Sequence, residues 1–141
     1  MPQSAYIHIP FCERKCNYCD FLSGPADDNT KQVYTDAIID EIRQRAKSLS
    51  RGNRITSIYF GGGTPGVMSP ARIGAIYNAI GQEFVIDPGA EVTIEVNPKS
   101  GRDKLHYLRE IGFNRLSIGM QSSHASELEL LGRIHTYDDF A

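Results

Sequence analysis

Short apolar or alternating runs recur along the chain, and each is followed by a longer stretch whose apolar residues are spaced as on one helix face. The short runs predict four strands, at residues 4–10, 55–60, 91–96 and 115–120. The longer stretches predict helices at residues 31–48, 70–84 and 102–111, and a short helix within 123–131. The pattern is therefore a strand followed by a helix, repeated four times.

Capping residues mark where these helices begin and end. Thr30 is the predicted N-cap of the first helix, Ser69 caps the second before Pro70, and Gly112 ends the third. Connections of helix length require parallel strands with right-handed crossovers. The sequence thus predicts an α/β fold made of a (βα)4 unit that occupies residues 1–141 as one domain.

Residues 136–141 have the pattern of an N-cap and the first turn of another helix. A parallel sheet that stopped at a fourth strand would leave that edge exposed, which folded proteins usually avoid. We therefore expect the chain to be the N-terminal portion of a longer barrel, with the remaining strands and any C-terminal domain outside this sequence. A complete four-stranded doubly wound domain is the alternative.

The predicted strands are apolar on one side only. In the first strand Tyr6 and His8 lie opposite Ile7 and Ile9. The polar sides of the third and fourth strands carry Thr93, Glu95, Asn97, Ser117, Gly119 and Gln121. A doubly wound sheet is covered by helices on both faces and has almost wholly apolar strands, so the pattern favours a barrel with a polar interior.

Composition and charge exclude several classes of protein. The 141 residues are 40% hydrophobic and 23% charged, with a net charge of -2, which is typical of a soluble globular domain. The sequence lacks a block of basic residues of the kind that indicates nucleic-acid binding. It also has no apolar run that approaches the roughly 20 residues needed to cross a bilayer. No basic and apolar leader follows Met1, so we expect a cytoplasmic protein.

All three cysteines lie in the segment CERKCNYC, residues 12–19, directly after the first strand. An odd number of cysteines does not pair fully within the chain. Thiolates are soft ligands that suit iron–sulfur clusters, zinc or copper(I). Three of them would leave one iron of a four-iron cluster open to a ligand. The alternatives are a Cys3His zinc site that uses His8, and three reduced surface thiols.

Four segments in this order resemble the radical S-adenosylmethionine (SAM) superfamily. They are YIHIPFCERKCNYCDF, GGGTPG, EVNP and NRLSIGMQS, which together span nearly the whole chain. Within the superfamily they are most similar to the branch of oxygen-independent coproporphyrinogen III oxidases and HemW haem chaperones. The resemblance implies that the (βα)4 unit is the N-terminal portion of an incomplete, parallel (βα)6 barrel.

The resemblance also implies a set of site residues. Cys12, Cys16 and Cys19 match the ligands of a [4Fe-4S] cluster, whose open iron binds SAM. The positions that match SAM contacts in the family are Tyr6, Gly62, Gly63, Thr64, Glu95, Gln121 and Arg133. The chemistry implied is electron transfer into the sulfonium of SAM, which is cleaved to methionine and a 5′-deoxyadenosyl radical. No catalytic side chain is assigned.

The residue types agree with these roles, although each also has a structural interpretation. Glycines allow the backbone to approach a ligand closely, and a carboxylate accepts hydrogen bonds from an ammonium or ribose group. The glycine run is alternatively a simple turn, Glu95 the partner of a basic residue inside the barrel, and Arg133 a surface residue. His8 is expected to be an interior histidine, and the other three histidines have no context that forms a site.

Two features favour the chaperones within this branch. The oxidases usually carry a fourth cysteine where Phe21 stands, whereas the chaperones carry phenylalanine, and residues 131–135, LGRIH, resemble the chaperone segment. Asn17 and Ser123 depart from the residues common at those positions. The resemblance implies a protein that binds haem and delivers it to acceptor proteins, with a low-potential electron donor such as ferredoxin or flavodoxin.

Two other functions stay open. One is that of the oxidases, oxidative decarboxylation of coproporphyrinogen III, and the other is that of a zinc-stabilised interaction module. Whether the chain is an enzyme therefore depends on which member of the branch it resembles in function.

Overall fold

In a computed structural model that describes residues 2–49 and 54–141, strands and helices alternate along the chain. The strands are β1 (Pro2–Ile9), β2 (Arg54–Gly62), β3 (Val85–Val96) and β4 (Arg115–Ile118). The helices are α1 (Asp28–Ser48), α2 (Pro70–Glu83), α3 (Arg102–Ile111), α4 (Ala125–Leu130) and α5 (Tyr137–Phe140). Two 3-10 turns, Pro65–Val67 and Pro98–Ser100, follow β2 and β3.

The four strands form one parallel sheet in the order β1-β2-β3-β4. The α/β fold class predicted from the sequence is confirmed. Sequential order with parallel pairing means that each crossover moves one strand further in the same direction. A doubly wound sheet reverses direction at a switch point, so that alternative is wrong for the described strands.

One face of the sheet packs against α1, α2 and α3 and forms the core. Ile9, Ile58, Phe60 and Ile94 are each 1% exposed or less. The helices contribute mainly isoleucine and leucine to the same cluster, namely Ile42, Ile73, Ile76, Ile80 and Leu108. Full burial of such a side chain stabilises a fold by about 1.5–3 kcal/mol, so this face accounts for most of the stability.

The opposite face is polar, as the alternation predicts, and it is less uniformly exposed than expected. Tyr6 is 60% exposed, whereas Thr93 is fully buried. Thr93 pairs with Tyr59 on one side and Arg115 on the other, and its hydroxyl donates to Glu91 at 3.3 Å. Long neighbouring side chains therefore cover the threonine.

The start of α1 and the length of β3 differ from the prediction. Asp27, not Thr30, is the N-cap of α1, since its carboxylate accepts from the Thr30 amide at 2.7 Å. β3 begins at Val85, six residues early, because Val85 and Ile86 pair with Arg54 and Ile55 before the register shifts. The caps predicted for α2 at Ser69 and for α3 at Gly112 are confirmed.

The outer side of β4 is less buried than the apolar pattern predicts. Leu116 and Ile118 face the same way as Ile94 and Val96 but are 39% and 40% exposed. The helix that follows, α4, has six residues. No helix in the described ranges is long and apolar enough to cross a membrane.

Candidate functional site

A cavity of about 260 Å³ opens at the carboxyl ends of the four strands. Parallel strands bring their following loops to one edge of the sheet, and so the cysteine loop, the glycine loop and the segments after β3 and β4 all reach it. Nine of the ten residues predicted for the site line this cavity: Cys12, Cys16, Cys19, Gly62, Gly63, Thr64, Glu95, Gln121 and Arg133.

The base of the cysteine loop is fixed to the sheet by backbone hydrogen bonds. Phe11 forms a parallel bridge with Gly24, and the Cys12 amide donates to the Gly24 carbonyl at 3.0 Å. The Thr64 amide donates to the Phe11 carbonyl at 2.7 Å. All three cysteines are free and partly buried, so the loop presents its sulfur atoms to the cavity without a disulfide.

The glycine loop packs against the cysteine loop too closely to admit a side chain. A Cβ atom on Gly63 would lie 2.6 Å from the Phe11 carbonyl oxygen and 3.0 Å from Cys12 Sγ. Gly62 has a φ of +118°, a conformation that glycine adopts without steric cost. The glycines thus form a turn and also place backbone against the first cysteine.

Arg133 connects three sides of the cavity. Its guanidinium donates to Cys16 Sγ at 3.2 Å, to the Gly119 carbonyl at 2.7 Å and to Asn97 Oδ1 at 3.3 Å. Its Nε atom is buried and has no hydrogen-bond partner among the described residues. Arg133 is therefore part of the cavity wall, and the interpretation of it as a surface arginine is wrong.

Glu95 is held by a tyrosine that the sequence analysis did not identify. The Tyr59 hydroxyl donates to Glu95 Oε1 at 2.7 Å, and this hydrogen bond, together with burial, raises the pKa of Tyr59 above its usual value. The basic partner considered for Glu95 is not its hydrogen-bond partner here. Tyr59 comes directly after the buried Ile58 and therefore lies on the opposite, polar side of β2. The period-two alternation of the strand could have identified it as a residue of the polar face.

Tyr6 lies outside the residues that line the cavity. Its ring stacks on Tyr59 with centroids 6.1 Å apart, and its hydroxyl lies 3.1 Å from His8 Nδ1 in a hydrogen bond. Burial, with a smaller effect of the Glu95 charge, raises the pKa of Tyr6. Tyr6 thus reaches the site through Tyr59, and its predicted contact with SAM stays a prediction.

His8 is engaged within its own strand rather than with the cysteines. Because the Tyr6 hydroxyl bonds its Nδ1 atom, a zinc site that uses this nitrogen would first have to break that bond. Within residues 2–49 and 54–141, no three His, Cys, Asp or Glu side chains are grouped so that they could hold a single metal ion.

The family of the chain is shown by its sequence. The family model described as the radical SAM superfamily matches residues 6–141. The chain belongs to the radical SAM superfamily.

Curated radical SAM relatives are similar along almost all of this chain. "Radical S-adenosyl methionine domain-containing protein 1, mitochondrial" of Mus musculus is 38% identical over 135 residues, which are 95% of this chain and 30% of that protein. "Heme chaperone HemW" of Escherichia coli is 36% identical over 141 residues, 95% of this chain and 36% of the relative. "Oxygen-independent coproporphyrinogen III oxidase" of Salmonella typhimurium is 36% identical over 134 residues, 94% of this chain and 29% of that protein.

A solved radical SAM structure has the same fold. Coproporphyrinogen III oxidase (HemN) from Escherichia coli superposes with a TM-score of 0.91 at 33% identity, covering 98% of this chain and 32% of that one. The chain therefore spans about a third of the length of the relatives it matches.

The donor set of this cavity fits the cofactors that the radical SAM family implies. Three free thiols lie on one wall, and thiolates are the usual ligands of iron–sulfur clusters. Glycine backbone, a carboxylate and a guanidinium lie around the rest of it, and these complement the ammonium and carboxylate of an amino acid. At Gly63 the glycine loop can present only backbone beside Cys12, because a Cβ atom there would lie 3.0 Å from Cys12 Sγ.

Several residues of the wall were not among those predicted for the site. They are Arg14, Tyr18, Phe21, Val96, Asn97, Ser117, Gly119, Gly132 and Ile134. Asn97, Ser117 and Gly119 had been placed on the polar side of their strands, so the alternation already carried that signal. Val96 is the last residue of β3, and Tyr18 and Phe21 lie close to the last cysteine in the sequence. The positions of Arg14, Gly132 and Ile134 depend on how the loops fold back, which spacing alone does not encode.

Proposed function

We propose that this chain holds a [4Fe-4S] cluster on Cys12, Cys16 and Cys19 and binds SAM beside it. The observation that supports this is the convergence on one cavity of nine predicted residues, which lie at the ends of β2 and β3 and in the loops after β1, β2, β4 and α4. These residues lie up to 121 positions apart in the sequence. A stabilising role alone would not require thiols, backbone glycines, a carboxylate and an arginine at one place.

The chain's own groups divide the work of binding in this proposal. A bound cluster and SAM supply one-electron cleavage of a sulfonium, as the family implies. Arg133 places a permanent positive charge next to Cys16, and this charge attracts a carboxylate in the cavity. Glu95, oriented by Tyr59, accepts hydrogen bonds from an ammonium or hydroxyl group. The buried base of the sheet excludes water from beneath the cavity.

We further propose that the protein acts as a haem chaperone, which binds haem and delivers it to acceptor proteins. Phe21 supports this assignment, since it lines the cavity where the oxidases carry a fourth cysteine. It is 66% exposed, so its side chain lies at the rim as an apolar surface. The similarity to proteins named as haem chaperones supports the same conclusion.

Porphyrinogen oxidation is the second candidate. The structural match to coproporphyrinogen III oxidase favours it, with a TM-score of 0.91, and the oxidase of Salmonella typhimurium is as similar as the chaperone of Escherichia coli, at 36% identity. In that case the substrate is a porphyrinogen rather than haem, and a low-potential donor such as ferredoxin or flavodoxin supplies electrons.

The cytoplasm is the proposed compartment, supported by the similarity to bacterial HemW proteins. A relative of 38% identity is named as mitochondrial. Fractionation of source cells followed by immunodetection tests the assignment, and recovery in an organelle fraction would contradict it.

The cluster proposal is tested by anaerobic reconstitution with iron and sulfide. We expect about four irons per chain and a brown protein in the wild type, and loss of both in Cys16→Ala with secondary structure retained, because the residue is on a loop. Asp20→Ala is the matched control, since Asp20 is an exposed residue of the same loop. One tightly held zinc without colour would instead support the interaction module.

Chaperone and oxidase are distinguished with the reconstituted full-length protein. A haem titration followed by absorbance, and an assay of coproporphyrinogen conversion in the presence of SAM and a reductant, are run side by side. Stoichiometric haem binding without conversion supports the chaperone. Catalytic turnover of coproporphyrinogen would refute the chaperone assignment and establish the oxidase.

A further inference from the structure

Gln121 has a backbone conformation that non-glycine residues rarely adopt. Its φ is +66°, and within the described ranges it is the only residue other than glycine with a positive φ. The Ser122 amide donates to the Met120 carbonyl at 2.9 Å, which closes a γ-turn around Gln121. A γ-turn with positive φ is strained, and such strain persists only where the surrounding structure maintains it.

A buried histidine provides that support. His135 is 3% exposed, and its Nε2 atom lies 2.9 Å from the same Met120 carbonyl oxygen. Because a carbonyl oxygen only accepts, Nε2 must carry a proton and act as the donor in this bond. Two donors, one from the backbone and one from a side chain, thus fix the carbonyl at the start of the strained turn.

The segment that carries His135, residues 133–135, makes a second hydrogen bond to the chain just after β4. Arg133 donates to the Gly119 carbonyl at 2.7 Å, and so residues 133 and 135 bond the successive carbonyls of 119 and 120. The amide of Gln121 and the guanidinium of Arg133 both approach Gly119, where a Cβ atom would lie 3.3 Å and 3.2 Å from them. The side chains of Gln121 and Arg133 therefore enter the cavity next to each other, beside Gly119.

Packing alone does not explain a histidine at this position. Its Nδ1 atom is buried and has no hydrogen-bond partner among the described residues, which opposes folding because a buried polar atom without a partner loses its solvation. An apolar residue of similar size would fill the space without that loss. What only the histidine adds is the donor to Met120.

We propose that His135 is a positioning residue, which holds the strained Gln121 turn so that the Gln121 amide faces the ligand in the cavity. The inference rests on the proposed function for the identity of that ligand, SAM. It does not rest on it for the turn itself, which is a property of the ligand-free chain.

Three variants of the full-length protein test the role of the donor. His135→Asn keeps a polar group but is too short to place an amide at the Nε2 position, whereas His135→Gln places its amide nitrogen there. Gln121→Gly removes the strain, because glycine adopts positive φ freely. Exchange of the Ser122 amide is measured in the iron-free protein, and SAM affinity and iron content are measured after anaerobic reconstitution.

We expect His135→Asn to accelerate Ser122 exchange and to weaken SAM binding, each by about tenfold, as for loss of one well-formed hydrogen bond. Iron content should not change, because among the described residues the His135 ring forms its hydrogen bond to Met120 and none to the cysteine loop. His135→Gln should stay within about twofold of the wild type by the same reasoning. In the Gln121→Gly background, the effect of His135→Asn on Ser122 exchange should largely disappear.

The proposal is overturned if His135→Asn leaves Ser122 exchange unchanged, or if His135→Gln is as impaired as His135→Asn. Should His135→Asn fail to fold, His135→Gln decides alone, and loss of binding or protection in that variant overturns the proposal. If the wild type loads iron but does not bind SAM, the proposed function fails, while the exchange measurements still decide the role of His135.

Discussion

Gly63 lies where the glycine loop packs against the cysteine loop without room for a side chain. A methyl group there would lie 2.6 Å from a backbone oxygen that cannot move independently, so one of the two loops must shift. Besides its predicted contact with SAM, Gly63 thus helps to determine where Cys12 lies.

Gly63→Ala is expected to destabilise the fold by about 1–3 kcal/mol, as overpacking does elsewhere, and to lower iron loading because Cys12 is displaced. Thermal unfolding and iron content measure the two effects. Gly24→Ala is the matched control, since a Cβ atom on Gly24 meets no atom within 4 Å. Equal behaviour of the two variants would show that the loops are not in contact in solution.

Single residues were predictable where their type is tied to their chemistry. The cysteines could be selected because soft thiolate ligands on one short loop indicate a metal site. Gly62, Gly63, Glu95 and Arg133 were selected through the resemblance to the radical SAM family, and their residue types agree with that selection. Alternation places Tyr59 on the polar side of β2, but its hydrogen bond to Glu95 could not be predicted, and neither could the bond of His135 to Met120, because each joins residues of different segments. Those pairings exist only once the sheet has formed.

Among the elements, the beginning of α1 shows how local chemistry leaves a choice open. Asp27 and Thr30 are both favourable caps by residue type. The carboxylate of Asp27 accepts from the Thr30 amide, which makes Thr30 the third helical residue rather than the cap. Sequence alone could not decide between two capping residues three positions apart. It also did not reveal that β3 pairs with β2 both before and after an irregular segment.

Asp27→Ala is expected to lower the melting temperature by roughly 3–5 °C near neutral pH, as for a lost cap in a domain of this size. Hydrogen bonds from Thr30 hold the pKa of Asp27 below its usual value of 3.8. A depressed folded-state pKa means that the stabilisation is present above the unfolded pKa and is lost as pH falls through the folded one. The difference from the wild type should therefore shrink below about pH 4.

Asp27→Asn separates the cap from its charge. Asparagine offers an acceptor oxygen at the same place, so this variant should retain most of the stability at neutral pH and lose the dependence on acid. Thermal melts of the three proteins between pH 3 and 7 provide the comparison. A loss in Asp27→Asn as large as that in Asp27→Ala would show that the charge of Asp27, not its acceptor oxygen, stabilises the helix, and no loss in Asp27→Ala would show that Asp27 is not the cap.

At the scale of the whole molecule, the cysteine loop is joined to a segment far away in sequence. The Asn17 backbone amide donates to the Leu131 carbonyl at 3.1 Å, and its side-chain amide donates to the Leu130 carbonyl at 3.0 Å. Both carbonyls lie at the end of α4, where helices lack internal partners. Asn17 thereby closes the cavity between its first and last loops, a contact that strand and helix patterns do not predict.

Asn17→Ala should loosen the cysteine loop in the iron-free protein. We expect trypsin to cut after Arg14 and Lys15 several-fold faster than in the wild type, because local opening becomes easier. Cleavage sites are read by mass spectrometry, and Asn29→Ala, an exposed residue of α1, serves as the control. Unchanged cleavage in Asn17→Ala would show that the base of the loop alone determines its order.

The alternating faces of β3 carry a further consequence for how such a chain diverges. Val92 and Ile94 are at most 2% exposed against the helices, while Glu95 and, directly after the strand, Asn97 line the cavity. Substitutions at the apolar positions are therefore expected to change the stability of the sheet, and substitutions at the polar positions between them to change what the cavity binds. Ligand specificity can therefore diverge through changes at every second residue of β3, while the apolar residues between them keep the sheet packed against its helices.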